Sequence, residues 1–134
     1  MVVAVRNTLS EVYPATADSV THARTWAAEF AAWSGADSET VEAVKLAVSE
    51  AVTNVVLHAY GDAPGELQLT LAVAAHELWA LVADNGRGHQ SAPLKPGLGL
   101  GLALIADACE TFVITERSGG GTELRMRFPL PRTR

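Results

Sequence analysis

The 134-residue sequence has one cysteine, two lysines and few aromatic side chains, 6% of its residues. Cys109 alone cannot close an internal disulfide, and no CxxC or His–Cys spacing suggests a zinc site. That cysteine usage fits a reducing cytoplasm. Lys45 and Lys95 are too few for a basic funnel, and 10 basic against 15 acidic side chains leave a net charge of −5. Direct nucleic-acid binding, which normally rests on a large basic face, is therefore not expected. Lys45, Glu50, Asn54 and Asp84 interrupt the apolar stretches well before 18 residues, so no membrane span is expected. The first residues carry one Arg and only a short apolar run, which does not read as a signal peptide. GxxxxGK[ST] is absent, and so is a strand leading into GxGxxG, which removes the usual P-loop and the Rossmann fingerprint.

What is present is ample for a folded core. Apolar residues make up 49% and charged residues 19%, and the length suits one domain over 1–134. Residues 2–5 and 9–12 read as short strands ended by Pro14. Val20, Ala23, Trp26, Ala27, Phe30 and Ala31 recur at helical spacing over 15–33, and Ser34-Gly35 closes that helix. Trp26, Phe30 and Trp33 form an aromatic edge at i, i+4 and i+7 that is expected in the core, the alternative being a partner or dimer surface. Asp37 caps a second helix with body 40–60, and Gly61 is its stop. Residues 67–74 alternate, 77–83 form another strand-like run, and the tight Ala75-His76 link joins them as a hairpin. A helix over 101–109 and strands over 111–116 and 123–128, joined by Ser-Gly-Gly-Gly, complete the chain. The expected fold is an α/β two-layer sandwich: a mixed, mainly antiparallel sheet covered on one face by helices.

Three constellations carry chemistry. On the second helix, Glu50, Asn54 and His58 stand at i, i+4 and i+8 and share a face amid Val48, Ala51, Val52, Val55 and Val56. A carboxylate beside that packing costs several kcal/mol unless something pairs with it. A Glu with an Asn is a set that binds Mg²⁺ and activates a hydroxyl; the alternative is a solvated polar stripe. Ala83-Asp84-Asn85-Gly86-Arg87-Gly88 follows a strand, and reads either as a carboxylate set in a pocket floor or as an ordinary Asp-Asn-Gly turn. Pro96-Gly97-Leu98-Gly99-Leu100-Gly101-Leu102 opens a helix, where backbone N–H groups and the helix dipole favour an anion; the alternative is a flexible Gly-rich loop with no ligand.

In that order, these segments resemble the GHKL ATP-binding fold and, within it, the bacterial anti-sigma-factor serine/threonine kinases of partner-switching systems. Val48-Ser49-Glu50-Ala51-Val52-Thr53-Asn54 with His58-Ala59-Tyr60 is similar to the N box, Asp84-Asn85-Gly86-Arg87-Gly88 to the G1 box, and Gly99-Leu100-Gly101-Leu102 to the G2 box. Ser118-Gly119-Gly120-Gly121-Thr122 resembles the last nucleotide-contacting turn. The similarity runs over about 17–128.

The resemblance implies ATP and Mg²⁺ as cofactors. It gives Asn54 to Mg²⁺ and makes Glu50 the catalytic base for a serine hydroxyl. Asp84 would accept from the adenine amino group, with Thr122 helping through water, while Gly86 and Gly88 admit the base closely. Gly99, Leu100, Gly101 and Leu102 would frame the phosphates, and Lys95 is the one lysine near enough to touch them. Arg24 matches a partner-contact position. The implied partners are a sigma factor and an anti-anti-sigma (STAS-type) protein, and the resemblance extends to a homodimer. One departure stands out: only ten residues, 89–98, separate Gly88 from Gly99, where these kinases carry a longer lid. A short lid excludes less water, which keeps open a second reading, a nucleotide-dependent binding module without kinase turnover.

Overall fold

The computed structural model describes residues 8–86 and 98–131. In them β1 (Thr8–Pro14), α1 (Ala17–Trp33), α2 (Ser38–His58), β2 (Glu66–Ala74), β3 (Glu77–Asp84), α3 (Leu98–Ala108), β4 (Thr111–Glu116) and β5 (Thr122–Pro129) follow in order. The strands form one five-stranded sheet in the order β1-β2-β3-β5-β4. Every ladder among the described residues is antiparallel, with no parallel pair among them. The reason is topological: the helices connect strands that are not neighbours in parallel, and each adjacent pair is a hairpin or an antiparallel return.

Alternation decides which face is covered. Leu67, Leu69 and Leu71 of β2, Leu78, Ala80 and Val82 of β3, and Leu124, Met126 and Phe128 of β5 are buried. Their registers, Leu69↔Val82 and Val82↔Leu124 among them, place all of them on one face. On that face lie Ala23, Ala27 and Phe30 of α1, Val44, Val48, Ala51, Val52 and Val55 of α2, and Ile105 of α3, which complete a single core. The other face carries exposed Gln68 and Arg125 beside half-buried Trp79 and Leu81. At its end Arg127 pairs with Glu77 and, at 3.4 Å, with Glu110.

Local chemistry explains the element ends. Asp37 caps α2 with its carboxylate accepting the Thr40 N–H at 2.8 Å. Ala75 and His76 both have positive φ, 54° and 64°, the conformation of a two-residue hairpin turn whose twist matches the strands it joins. Phe30 is buried as expected, and Trp26 is half-buried. Trp33 is not in the core: it is 73% exposed, its ring tilted against Phe30 with centroids 6.1 Å apart. It sits in the last turn of α1, past the end of the sheet-facing stripe. Residues 2–5, part of the expected first strand, lie outside the described residues.

Candidate nucleotide site

Two polar groups interrupt the covered face, and α2 joins them. The first sits where α3 crosses α2. Glu50 and Asn54 are half-buried on α2, one turn apart on a common face, and buried Gly101 of α3 rests on them. A Cβ built on Gly101 would stand 3.1 Å from Asn54 Oδ1, 3.4 Å from Glu50 Oε1 and 3.6 Å from Asn54 Nδ2. Any side chain here would press on both polar groups, so glycine sets how closely α3 approaches the pair. The expected helix start at 101 moves to Leu98, which puts Gly99, Leu100 and Gly101 in the first turn of α3. Leu100 is 68% exposed and Leu102 half-buried. His58, two turns beyond Glu50, is half-buried on the same helix.

The second group is built on the ends of β3 and β5. Asp84 and Thr122 are register partners and are 6% and 7% exposed. Alternation places them on the helix-covered face, in line with Val82 and Leu124. A carboxylate in such a row is costly unless hydrogen-bonded. Asp84 Oδ1 accepts the Gly86 N–H at 2.9 Å, closing a tight turn. That turn lies against the end of α2, because a Cβ on Gly86 would overlap the Ala59 carbonyl oxygen. On the other side Gly121, with φ 99°, passes so close to the Asp84 carbonyl that any Cβ would overlap it. Both the left-handed backbone and the contact require glycine there.

Two residues to which the sequence reading assigned no role, Tyr60 and Arg117, hold this turn. Arg117 Nη1 donates to the Asp84 carbonyl at 3.1 Å and to Asn85 Oδ1 at 3.0 Å. The Asn85 N–H donates to Tyr60 Oη at 2.9 Å, and Tyr60 Oη donates in turn to the Glu66 carbonyl. Tyr60 and Arg117 thus brace the Asp84 loop from opposite sides. The one visible signal is position: Arg117 heads the Gly-rich turn before Thr122, the ladder partner of Asp84.

The structure therefore brings Glu50, Asn54 and Gly101 together, and separately Asp84, Gly86, Gly121 and Thr122. Ala59, which the Asp84 loop touches, is five residues beyond Asn54, about 7.5 Å along the helix axis. Arg24 is half-buried on α1, and no hydrogen bond or ion pair among the described residues ties it to either group. Gly88 and Lys95 lie outside the described residues, as does most of the short 89–98 segment. No cluster of three or more His, Cys, Asp or Glu side chains suited to a metal occurs among the described residues. Cys109 is buried away from both groups, its thiol raised by burial and donating to the Ile105 carbonyl at 3.1 Å.

Comparison with known proteins adds identity to this geometry. A family model described as the Histidine kinase-like ATPase domain matches residues 13–128. The chain is similar to the Anti-sigma F factor of Clostridium acetobutylicum, 28% identical over 132 residues, covering 90% of this chain and 92% of that protein. It is similar to the Serine-protein kinase RsbW of Bacillus mycoides, 36% identical over 86 residues, covering 64% of this chain and 54% of that protein. A crystal structure of the RsbU and RsbW domains of a Mycobacterium tuberculosis protein superposes with a TM-score of 0.73 at 26% identity, covering 94% of this chain and 33% of that one. The matched span contains α1, α2, α3 and both polar groups, and the chain belongs to the Histidine kinase-like ATPase domain family.

Proposed function

We propose that this chain is an ATP-binding serine/threonine kinase of the anti-sigma type. It phosphorylates an anti-anti-sigma antagonist protein and otherwise sequesters a sigma factor, which places its work in the cytoplasm. The observation that carries the proposal is the pairing of two polar groups through one helix: Glu50 and Asn54 beneath Gly101, and Asp84 beside Thr122. The similarity to an Anti-sigma F factor and a Serine-protein kinase RsbW supports the same reading.

In this reading the Asp84 carboxylate accepts from the adenine amino group, and the Gly86 and Gly121 turns keep the backbone close around the base. Tyr60 and Arg117 hold that turn still. Asn54 and the first turn of α3 would hold the phosphates. Asn54 Oδ1 is an oxygen donor of the kind Mg²⁺ takes, and the Gly101 contact leaves it uncrowded. Bound Mg²⁺ would supply charge neutralisation on the phosphates. Glu50 takes the proton of the incoming serine hydroxyl as the new O–P bond forms and the bond from the γ-phosphorus to its bridging oxygen breaks, leaving ADP.

The test is transfer of labelled γ-phosphate from Mg²⁺-ATP to a serine of an anti-anti-sigma (STAS-type) protein from the same organism. Labelling of that serine is expected. Binding of ATP without any labelling would overturn the kinase and leave the binding module, the reading that the short 89–98 segment favours.

A further inference from the structure

We propose that Tyr60 and Arg117 are positioning residues that set base selectivity, by gripping the peptide unit between Asp84 and Asn85 at both of its polar atoms. The inference rests on Asp84 as the acceptor for the adenine amino group. Arg117 Nη1 donates to the carbonyl of that peptide at 3.1 Å, and its N–H donates to Tyr60 Oη at 2.9 Å. The described residues contain no cis peptide bond. In a trans peptide the C=O and N–H point in opposite directions, so the two grips act from opposite sides and resist a flip of the plane.

Each grip is itself anchored. The Tyr60 hydroxyl gives its one hydrogen to the Glu66 carbonyl, which leaves its oxygen to accept the Asn85 N–H. Its ring lies against Gly65, where any Cβ would overlap it. Arg117 belongs to the β4–β5 turn, closed by Arg117 N–H to the Gly121 carbonyl at 2.9 Å and Gly120 N–H to the Arg117 carbonyl at 3.0 Å. Gly121 of that turn packs on the same peptide, since its Cβ would stand 2.9 Å from Asn85 Cα and overlap the Asp84 carbonyl. The clamp thus ties β2, the residues after α2 and the β4–β5 turn to one peptide plane.

That plane sets the direction of the Asp84 carboxylate. β3 ends at Asp84, and the Gly86 N–H that Asp84 Oδ1 accepts at 2.9 Å lies just beyond the gripped peptide. Arg117 Nη1 also holds Asn85 Oδ1 at 3.0 Å, which restrains the residue between them. A hydrogen bond weakens steeply when its angle is lost, whereas contact with the face of a base tolerates small rotations. Loosening the plane should therefore cost recognition of the amino group and spare the rest of the nucleotide.

The test compares ATP with purine riboside triphosphate, the analogue that lacks the 6-amino group, by calorimetry on the full chain with Mg²⁺ held constant. Wild type is expected to prefer ATP by about tenfold or more. Tyr60→Phe and Arg117→Met are each expected to shrink that preference about threefold or more, with affinity for the analogue within about twofold of wild type. A merely structural role would weaken both nucleotides alike, and that result overturns the proposal. So does an unchanged preference in both variants. Arg117 is exposed, so Arg117→Met decides alone if Tyr60→Phe fails to fold. Equal wild-type affinity for the two nucleotides is a different failure: it would overturn Asp84 as the adenine acceptor, and the clamp's role with it.

Discussion

Asp84 and Thr122 stand on one rung of the β3–β5 ladder, both buried on the face that the helices cover. Each continues an apolar row, Leu78-Ala80-Val82 on β3 and Leu124-Met126-Phe128 on β5, and each breaks it with a polar group at the same end. Asp84→Asn keeps the shape and the acceptor for the Gly86 N–H but replaces one acceptor oxygen with a donor. An adenine amino group would then meet a donor, and adenine-nucleotide affinity is expected to fall by about tenfold or more. Isothermal titration calorimetry checks this, and unchanged affinity would remove Asp84 from the nucleotide site.

Gly101 offers a test in which two effects oppose each other. Alanine is favoured over glycine inside a helix by about 1 kcal/mol. Its Cβ, however, would stand 3.1 Å from Asn54 Oδ1, closer than ordinary contact, and 3.4 Å from Glu50 Oε1, at the near edge of ordinary contact. Gly101→Ala is expected to melt within a few degrees of wild type while losing phosphoryl transfer, because the crowded groups are the reactive ones. Gly101→Val should lose both.

The two-residue turn at Ala75-His76 holds two non-glycine residues at positive φ. Such conformations cost roughly 1 kcal/mol or more per residue, and Asn-Gly is the pair that suits this turn. Ala75→Asn with His76→Gly is therefore expected to raise the unfolding free energy by about 1 kcal/mol without changing nucleotide affinity. Chemical denaturation measures it.

Asp37 carries a pH dependence of defined sign. The hydrogen bonds from Thr40 hold its carboxyl below the ordinary carboxylate value. A depressed folded-state pKa contributes stability above the unfolded value and loses it as pH falls through the folded one. Asp37→Ala should therefore melt below wild type at neutral pH, and the gap should narrow on acidification. Asp37→Asn, a neutral cap, should show no such acid-side narrowing relative to Ala.

Periodicity carried most of the fold. The i, i+4 apolar spacing on α1 and α2 and the alternation on β2 mark elements whose ends in the structure fall within a few residues of the expected ones. Where the reading moved, tertiary contact was the cause. The glycines before residue 101 have loop chemistry, yet helix begins at Leu98, where Gly101 packs on Asn54. Trp33 has the spacing of a core residue and is 73% exposed, past Ala31, the last buried residue of α1. Glu50, Asn54 and Asp84 were legible because each is a polar residue in an apolar run. Tyr60 and Arg117 were not, because their role depends on a strand register that brings positions 60, 85 and 117 together.

The central claim is that Glu50 serves phosphoryl transfer and not nucleotide binding. The most direct measurement compares wild type with Glu50→Ala in two assays run together: labelled phosphate transfer to the antagonist's serine, and calorimetric ATP affinity. Loss of transfer by about a hundredfold or more, with affinity within a few fold of wild type, is the predicted result. Transfer that survives in Glu50→Ala at the wild-type rate would contradict the account.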